Sequence, residues 1–144
     1  MKSIRHTGIV VSDLERGLYF YGDLLGLKVV KRMDETGDYI DKISGLKNVK
    51  VTTVKMTTRE GNLVELLYYH SHPREVASRK NICEIGISHV AFTVENLEAE
   101  YQRLSKAGIQ FNSPPRVSPD GYAKVTFCRD PEGNLIELVE EITY

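Results

Sequence analysis

Apolar and polar residues alternate through two stretches of the chain, residues 4–11 (IRHTGIVV) and 87–94 (ISHVAFTV), and a period of two rich in β-branched residues predicts a strand in each. The period then changes. Leu14, Leu18, Tyr21 and Leu25, and later Leu97, Tyr101 and Leu104, recur at intervals of three and four, so each strand is followed by a helix with one apolar stripe. Ser12 with Glu15 reads as a capping box, Asn96 as an N-cap, and Gly26 and Gly108 as the residues that stop the helices. Further strands are expected at 27–33, 50–58 and 62–69, and again at 109–112, 122–129 and 134–140. The segments TREGN and DPEGN supply the tight reversals before the last strand of each set. The order β-α-β-β-β therefore occurs twice.

The two sets are copies. A shift of 83 positions lays Ile4 on Ile87, His6 on His89 and Leu14 on Leu97, whereas a shift of 72 lays Gly61 on Gly133 and Glu65 on Glu137. The difference leaves about eleven extra residues in the first copy, and 34–50 is the place for them. Two such modules predict one α+β domain over 1–144: a curved mixed sheet with helices outside, module 1 over about 1–72, a connector over about 70–86 and module 2 over about 85–144.

Both copies contain GNLxEL, which puts Glu65 and Glu137 inside apolar strands where an unpartnered carboxylate is costly. Strand parity places His6 with Ile4, Gly8 and Val10, and His89 with Ile87, Ala91 and Thr93; Glu65 and Glu137 lie on one face of the last strands. A histidine and a glutamate from each module can thus share a concavity. Taken singly, a strand histidine is more often a packed or surface residue and a strand glutamate more often solvated. The pairing at matching places in two diverged copies outweighs that, and imidazole with carboxylate suits a divalent first-row metal.

Composition narrows the partners. The net charge of −1 over 144 residues gives no reason to expect nucleic acid, no apolar run is long enough for a membrane span, and the N-terminus turns polar too soon for a signal peptide. Cys83 and Cys128 form no CxxC pair; both read as packing residues of a cytoplasmic protein.

The segments IRHTGIVVSDLERGLYFYGDLLGLKV, ISHVAFTVENLEAEYQRLSKAGI, REGNLVEL and FCRDPEGNLIEL resemble the vicinal oxygen chelate superfamily of glyoxalases, bleomycin-resistance proteins and dioxygenases. The resemblance implies paired βαβββ modules forming a cup around one divalent metal (Ni, Co, Zn, Mn or Fe), with His6, Glu65, His89 and Glu137 as ligands. It also implies a small-molecule substrate and a homodimer. The two-His, two-Glu set is similar to the glyoxalase I pattern. It points to a lyase or isomerase that stabilises an enediolate, with Glu137 the first choice of base and Glu65 its mirror. The alternatives are a methylmalonyl-CoA epimerase-like isomerase, an Fe(II) extradiol dioxygenase and a metal-free binding protein of the bleomycin-resistance kind. Tyr68, Tyr69, Tyr122, Lys124 and Arg129 are secondary candidates, Lys124 as a contact for an anionic substrate. The histidines of YHSHP (69–73) are expected in an exposed loop.

Overall fold

The computed structural model describes residues 1–72 and 81–143; of the expected connector, 73–80 lie outside the described residues. The chain divides into two compact units, Met1–Ala77 and Ser78–Tyr144. The first runs β1 (Thr7–Val10), α1 (Leu14–Leu18) continuing as a π-helical turn (Tyr19–Leu24), β2 (Lys28–Thr36), α2 (Asp38–Ser44), β3 (Lys50–Thr57) and β4 (Leu63–Tyr69). The second runs β5 (His89–Thr93), α3 (Leu97–Lys106), β6 (Arg116–Val117), β7 (Ala123–Arg129) and β8 (Leu135–Glu141). Each holds one four-stranded mixed sheet, ordered β1-β4-β3-β2 and β5-β8-β7-β6, so the fold is α+β as the repeat predicts. In each sheet the first and last strands are parallel and the other neighbours antiparallel. Among the described residues no helix is long and apolar enough to cross a membrane.

The sheets bury one face under their helices. Val54, Met56, Val64 and Leu66 form that face in the first unit, with Phe20 and Tyr21 of the helix fully enclosed. A Cβ on Gly17 would come within 3.3 Å of the Leu66 side chain, so glycine is what lets α1 lie this close to β4. In the second unit Thr126, Cys128, Ile136 and Leu138 take the same positions beneath Leu97 and Leu104. On the core face of the first unit Thr52 ties β3 to β2 and to His70, the residue that follows β4. Its hydroxyl donates to Asp34 Oδ1 at 2.6 Å, so His70 Nε2, at 2.7 Å, must be the donor to the same oxygen.

Three local expectations need correction. Asp13, not Ser12, caps α1: it has extended backbone and accepts from Arg16 N at 3.1 Å. Asn96 caps α3 as expected, accepting from Ala99 N. The strand expected at 109–112 is reduced to a single bridge, Phe111 with Cys128, and regular pairing resumes only at β6. Pro114 and Pro115 intervene, and neither can donate to a ladder. His6 precedes β1 rather than lying within it.

The insert has a definite structure. It extends β2 to Thr36 and then forms α2, which Asp41 ties down by accepting from Asn48 N (3.0 Å) and Val49 N (2.8 Å). Ile40, Val49 and Val51 make a small core there, packed by Leu46, Leu67 and Tyr69. In β2 the register slips between Val29 and Lys31: one extra residue, Val30, brings Lys31 opposite Lys55.

The two turns before the last strands are built alike but anchored differently. Gly61 (φ 91°) and Gly133 (φ 86°) take the left-handed conformation that the reversal requires. In the first turn the Thr58 hydroxyl accepts from Asn62 N at 3.1 Å. In the second, buried Asp130 accepts from Glu132 N, Asn134 N and Asn134 Nδ2, at 3.0, 2.8 and 2.9 Å. Removing a carboxylate with three donors leaves more groups unsatisfied than removing one hydroxyl. Asp130→Ala should therefore cost about 2–3 kcal/mol and Thr58→Ala about 1 kcal/mol or less in urea unfolding of the full chain.

Candidate functional site

Glu65 stands on β4 between Val64 and Leu66, both buried in the core, so its own side chain turns to the opposite face of the sheet. The parallel ladder sets Gly8 beside Glu65, and His6, two residues earlier, reaches the same carboxylate: Nε2 lies 3.8 Å from Oε1. The second unit repeats this register, with Ala91 beside Glu137, and there His89 Nε2 is 2.9 Å from Glu137 Oε2. Each unit thus brings together the histidine and glutamate that strand parity assigned to one face. Their side chains are partly open to solvent, 14% for Glu65 and 20% for Glu137.

The pairs differ in what surrounds them. The Ser88 hydroxyl donates to the Ile82 carbonyl at 3.0 Å, so the 3.0 Å contact with His89 Nδ1 has the ring as donor. In the neutral ring Nε2 then carries the lone pair. A 2.9 Å approach to a carboxylate oxygen brings two acceptors together, which calls for a proton or a metal ion between them. Two ligands at about 2.1 Å from a metal and at right angles to each other stand about 3 Å apart, so the donor type and spacing of this pair fit a divalent ion. His6 has no such support: its Nδ1 is buried without a hydrogen-bond partner among the described residues. Within either unit no third His, Cys, Asp or Glu among the described residues joins the pair.

Two residues beside the pairs are not among the sequence candidates. Lys55 is the β3 partner of Glu65 and puts Nζ 3.8 Å from Oε2. At the equivalent place Phe127 is the β7 partner of Glu137, and its ring meets His89 edge-on at 5.2 Å. Extending the shift of 72 back along β3 lays Lys55 on Phe127, a signal present in the repeat. Around the first pair lies a cavity of about 370 Å³, lined also by Lys31, Tyr39, Ile43 and Tyr69. Helix α2 forms one wall of it, which gives the insert a place at the site.

The secondary candidates divide. Tyr69 lines the cavity, while Tyr68 points to the other face and packs edge-on against His70. Lys124 shares a face with buried Thr126 and Cys128, on the core side, and its Nζ is 4.0 Å from Glu140, which in turn accepts from Leu97 N at the start of α3. It therefore does not stand with Glu137, as an anion contact at the site would require. Arg129 Nη1 donates to the Gly133 carbonyl at 2.7 Å and braces the turn. His72 bonds to Ser71 and His70 to Thr52; among the described residues they form no metal cluster.

Comparison with known proteins agrees with this duplicated design. The family model for the Glyoxalase/Bleomycin resistance protein/Dioxygenase superfamily matches residues 3–138. The chain belongs to that superfamily. Among its superfamily relatives, it is 31% identical to the uncharacterized protein YwkD of Bacillus subtilis over 98% of both chains. It is 24% identical to a lactoylglutathione lyase of Pseudomonas aeruginosa, over 94% of this chain and 80% of that one. A crystal structure of a glyoxalase family protein from Bacillus cereus superposes with a TM-score of 0.88 at 26% identity, covering 99% of this chain and 96% of the other.

The two thiols differ in placement. Burial pushes the Cys128 thiol up to about 12, with the Asp130 charge adding to the effect, so it packs the core as a neutral group. Cys83, expected to pack as well, is exposed. In native protein at pH 8 a disulfide reagent should therefore titrate about one thiol rapidly and the second only after unfolding.

Proposed function

We propose that the protein is a divalent-metal-dependent lyase or isomerase of the glyoxalase I-like type, acting on a small substrate with neighbouring oxygens by removing a proton from carbon. The observation that carries this reading is the recurrence of one His–Glu pair at the same register in both units. His6, Glu65, His89 and Glu137 are the residues that would hold the ion, and it would supply Lewis-acid polarisation of the substrate oxygens. Ser88 fixes the His89 ring so that Nε2 is the ligating atom. Glu137, bordered by an imidazole and the Phe127 ring, has no lysine within salt-bridge distance among the described residues and is the base that takes the proton. Glu65 lies between His6 and Lys55, 3.8 Å from each. The homodimer and the cytoplasmic location rest on the resemblance and on cysteine usage.

The salt bridge from Lys55 favours a second reading, because a resident cation competes with a metal for Glu65. In that case the protein binds a small molecule without a metal, in the manner of bleomycin-resistance members.

Metal analysis of the purified protein separates the two. The first reading expects about one divalent ion per His₂Glu₂ set, held at micromolar affinity. Glu137→Gln should lower turnover of a hemithioacetal or hydroxy-ketone by about 10²-fold or more with unfolding unchanged. A wild-type protein that takes up no divalent ion, and whose ligand binding survives Glu65→Ala and Glu137→Ala, would establish the second. Oxygen consumption with a catechol would instead place it with the Fe(II) dioxygenases.

A further inference from the structure

Lys31 and Lys55 are direct partners across the antiparallel β2–β3 ladder, and both line the cavity of the first unit. Like charges placed directly opposite on one face of a sheet repel. Lys55 is offset by Glu65 at 3.8 Å, but Lys31 makes no ion pair among the described residues. Glu35, the other carboxylate at the cavity, is four residues along β2 from Lys31, about 13 Å on an extended strand. Because Val30 is left out of the ladder, Lys31 opposes Lys55 on the cavity face rather than Val54 on the core face. Across from the lysines, Tyr39 and Ile43 stand one helical turn apart on α2, where they leave large apolar surfaces open (69% and 63% exposed) beside Met33. One end of the cavity therefore carries unbalanced positive charge and the other a wettable apolar wall. Its volume falls within the range of small-ligand pockets.

We propose that this cavity binds a small organic anion, its carboxylate or phosphate between Lys31 and Lys55 and its apolar part against Met33, Tyr39 and Ile43. The site adds a ligand class to the metal-dependent reading and rests on that reading only for what becomes of the ligand. A lysine that merely keeps an edge strand from pairing with another chain would need no partner lysine and no apolar wall.

The test is a titration of the full ¹⁵N-labelled chain with phenylacetate in the presence of a chelator, so that no metal takes part. Saturable shifts are expected at the amides of Lys31, Met33, Tyr39, Ile43 and Lys55, with inorganic phosphate competing and the neutral amide phenylacetamide binding at least about tenfold more weakly. Lys31→Met should weaken phenylacetate by about tenfold, the loss of one charge-assisted contact, and Lys31→Arg should retain it. Lys31 lies exposed on an edge strand, so both variants should keep the wild-type amide spectrum. Equal binding of phenylacetamide, an unchanged affinity in Lys31→Met, or shifts confined to other residues would overturn the proposal. Because no metal is present, these outcomes leave the metal-dependent reading to its own test.

Discussion

In each unit the first and last strands run side by side and parallel, and the register of that ladder decides what the sheet can do. Parallel neighbours cannot be joined by a tight turn, so a helix and two further strands must lie between them in sequence. The arrangement lets a residue from the very start of the unit reach one from its end. Because side chains alternate, a slip of one position would drive Glu65 into the core between the Val64 and Leu66 positions, and Glu137 likewise between Ile136 and Leu138. The apolar residues on either side of each glutamate thus hold the carboxylate on the open face. Its histidine partner follows from the same register.

Duplication produced two such faces, and divergence has made them unequal. The carboxylate of the first unit lies beside a lysine, in a cavity walled by the inserted helix; that of the second lies beside a phenyl ring and a histidine whose far nitrogen is tied to Ser88. The first half gathers charge and apolar surface around its carboxylate, and the second sets its carboxylate 2.9 Å from an oriented imidazole, beside a phenyl ring.

Much of this was legible in the sequence because it rests on period and repetition. The α+β class, the order of elements, the pairing of His6 with Glu65 and of His89 with Glu137, and the glycines of the turns all follow from local pattern. What was not legible depended on choosing between the two faces of a strand. On β7 the set Lys124, Thr126, Cys128 is more polar than the set Ala123, Val125, Phe127, yet it is the former that lies under the helix, so alternation could group the residues but not say which group did so. Asp13 and Ser12 are both good caps, and only the backbone of the following turn decides between them. The role of the insert was hidden because its helix gains its meaning from β2 and β3, against which it packs.

The bulge in β2 has a consequence for how such sites diverge. Were Val30 drawn into the ladder instead of being left out of it, every residue beyond it would move one place along β3: Arg32 would face Thr53 and Asp34 would face Val51, while Lys31, Met33 and Glu35 would turn away. The lining of this wall is therefore set as a block by whether that one residue stays out of the ladder, rather than residue by residue. Relatives that have this strand at the same length but without the bulge would be expected to differ in ligand more sharply than their overall identity suggests.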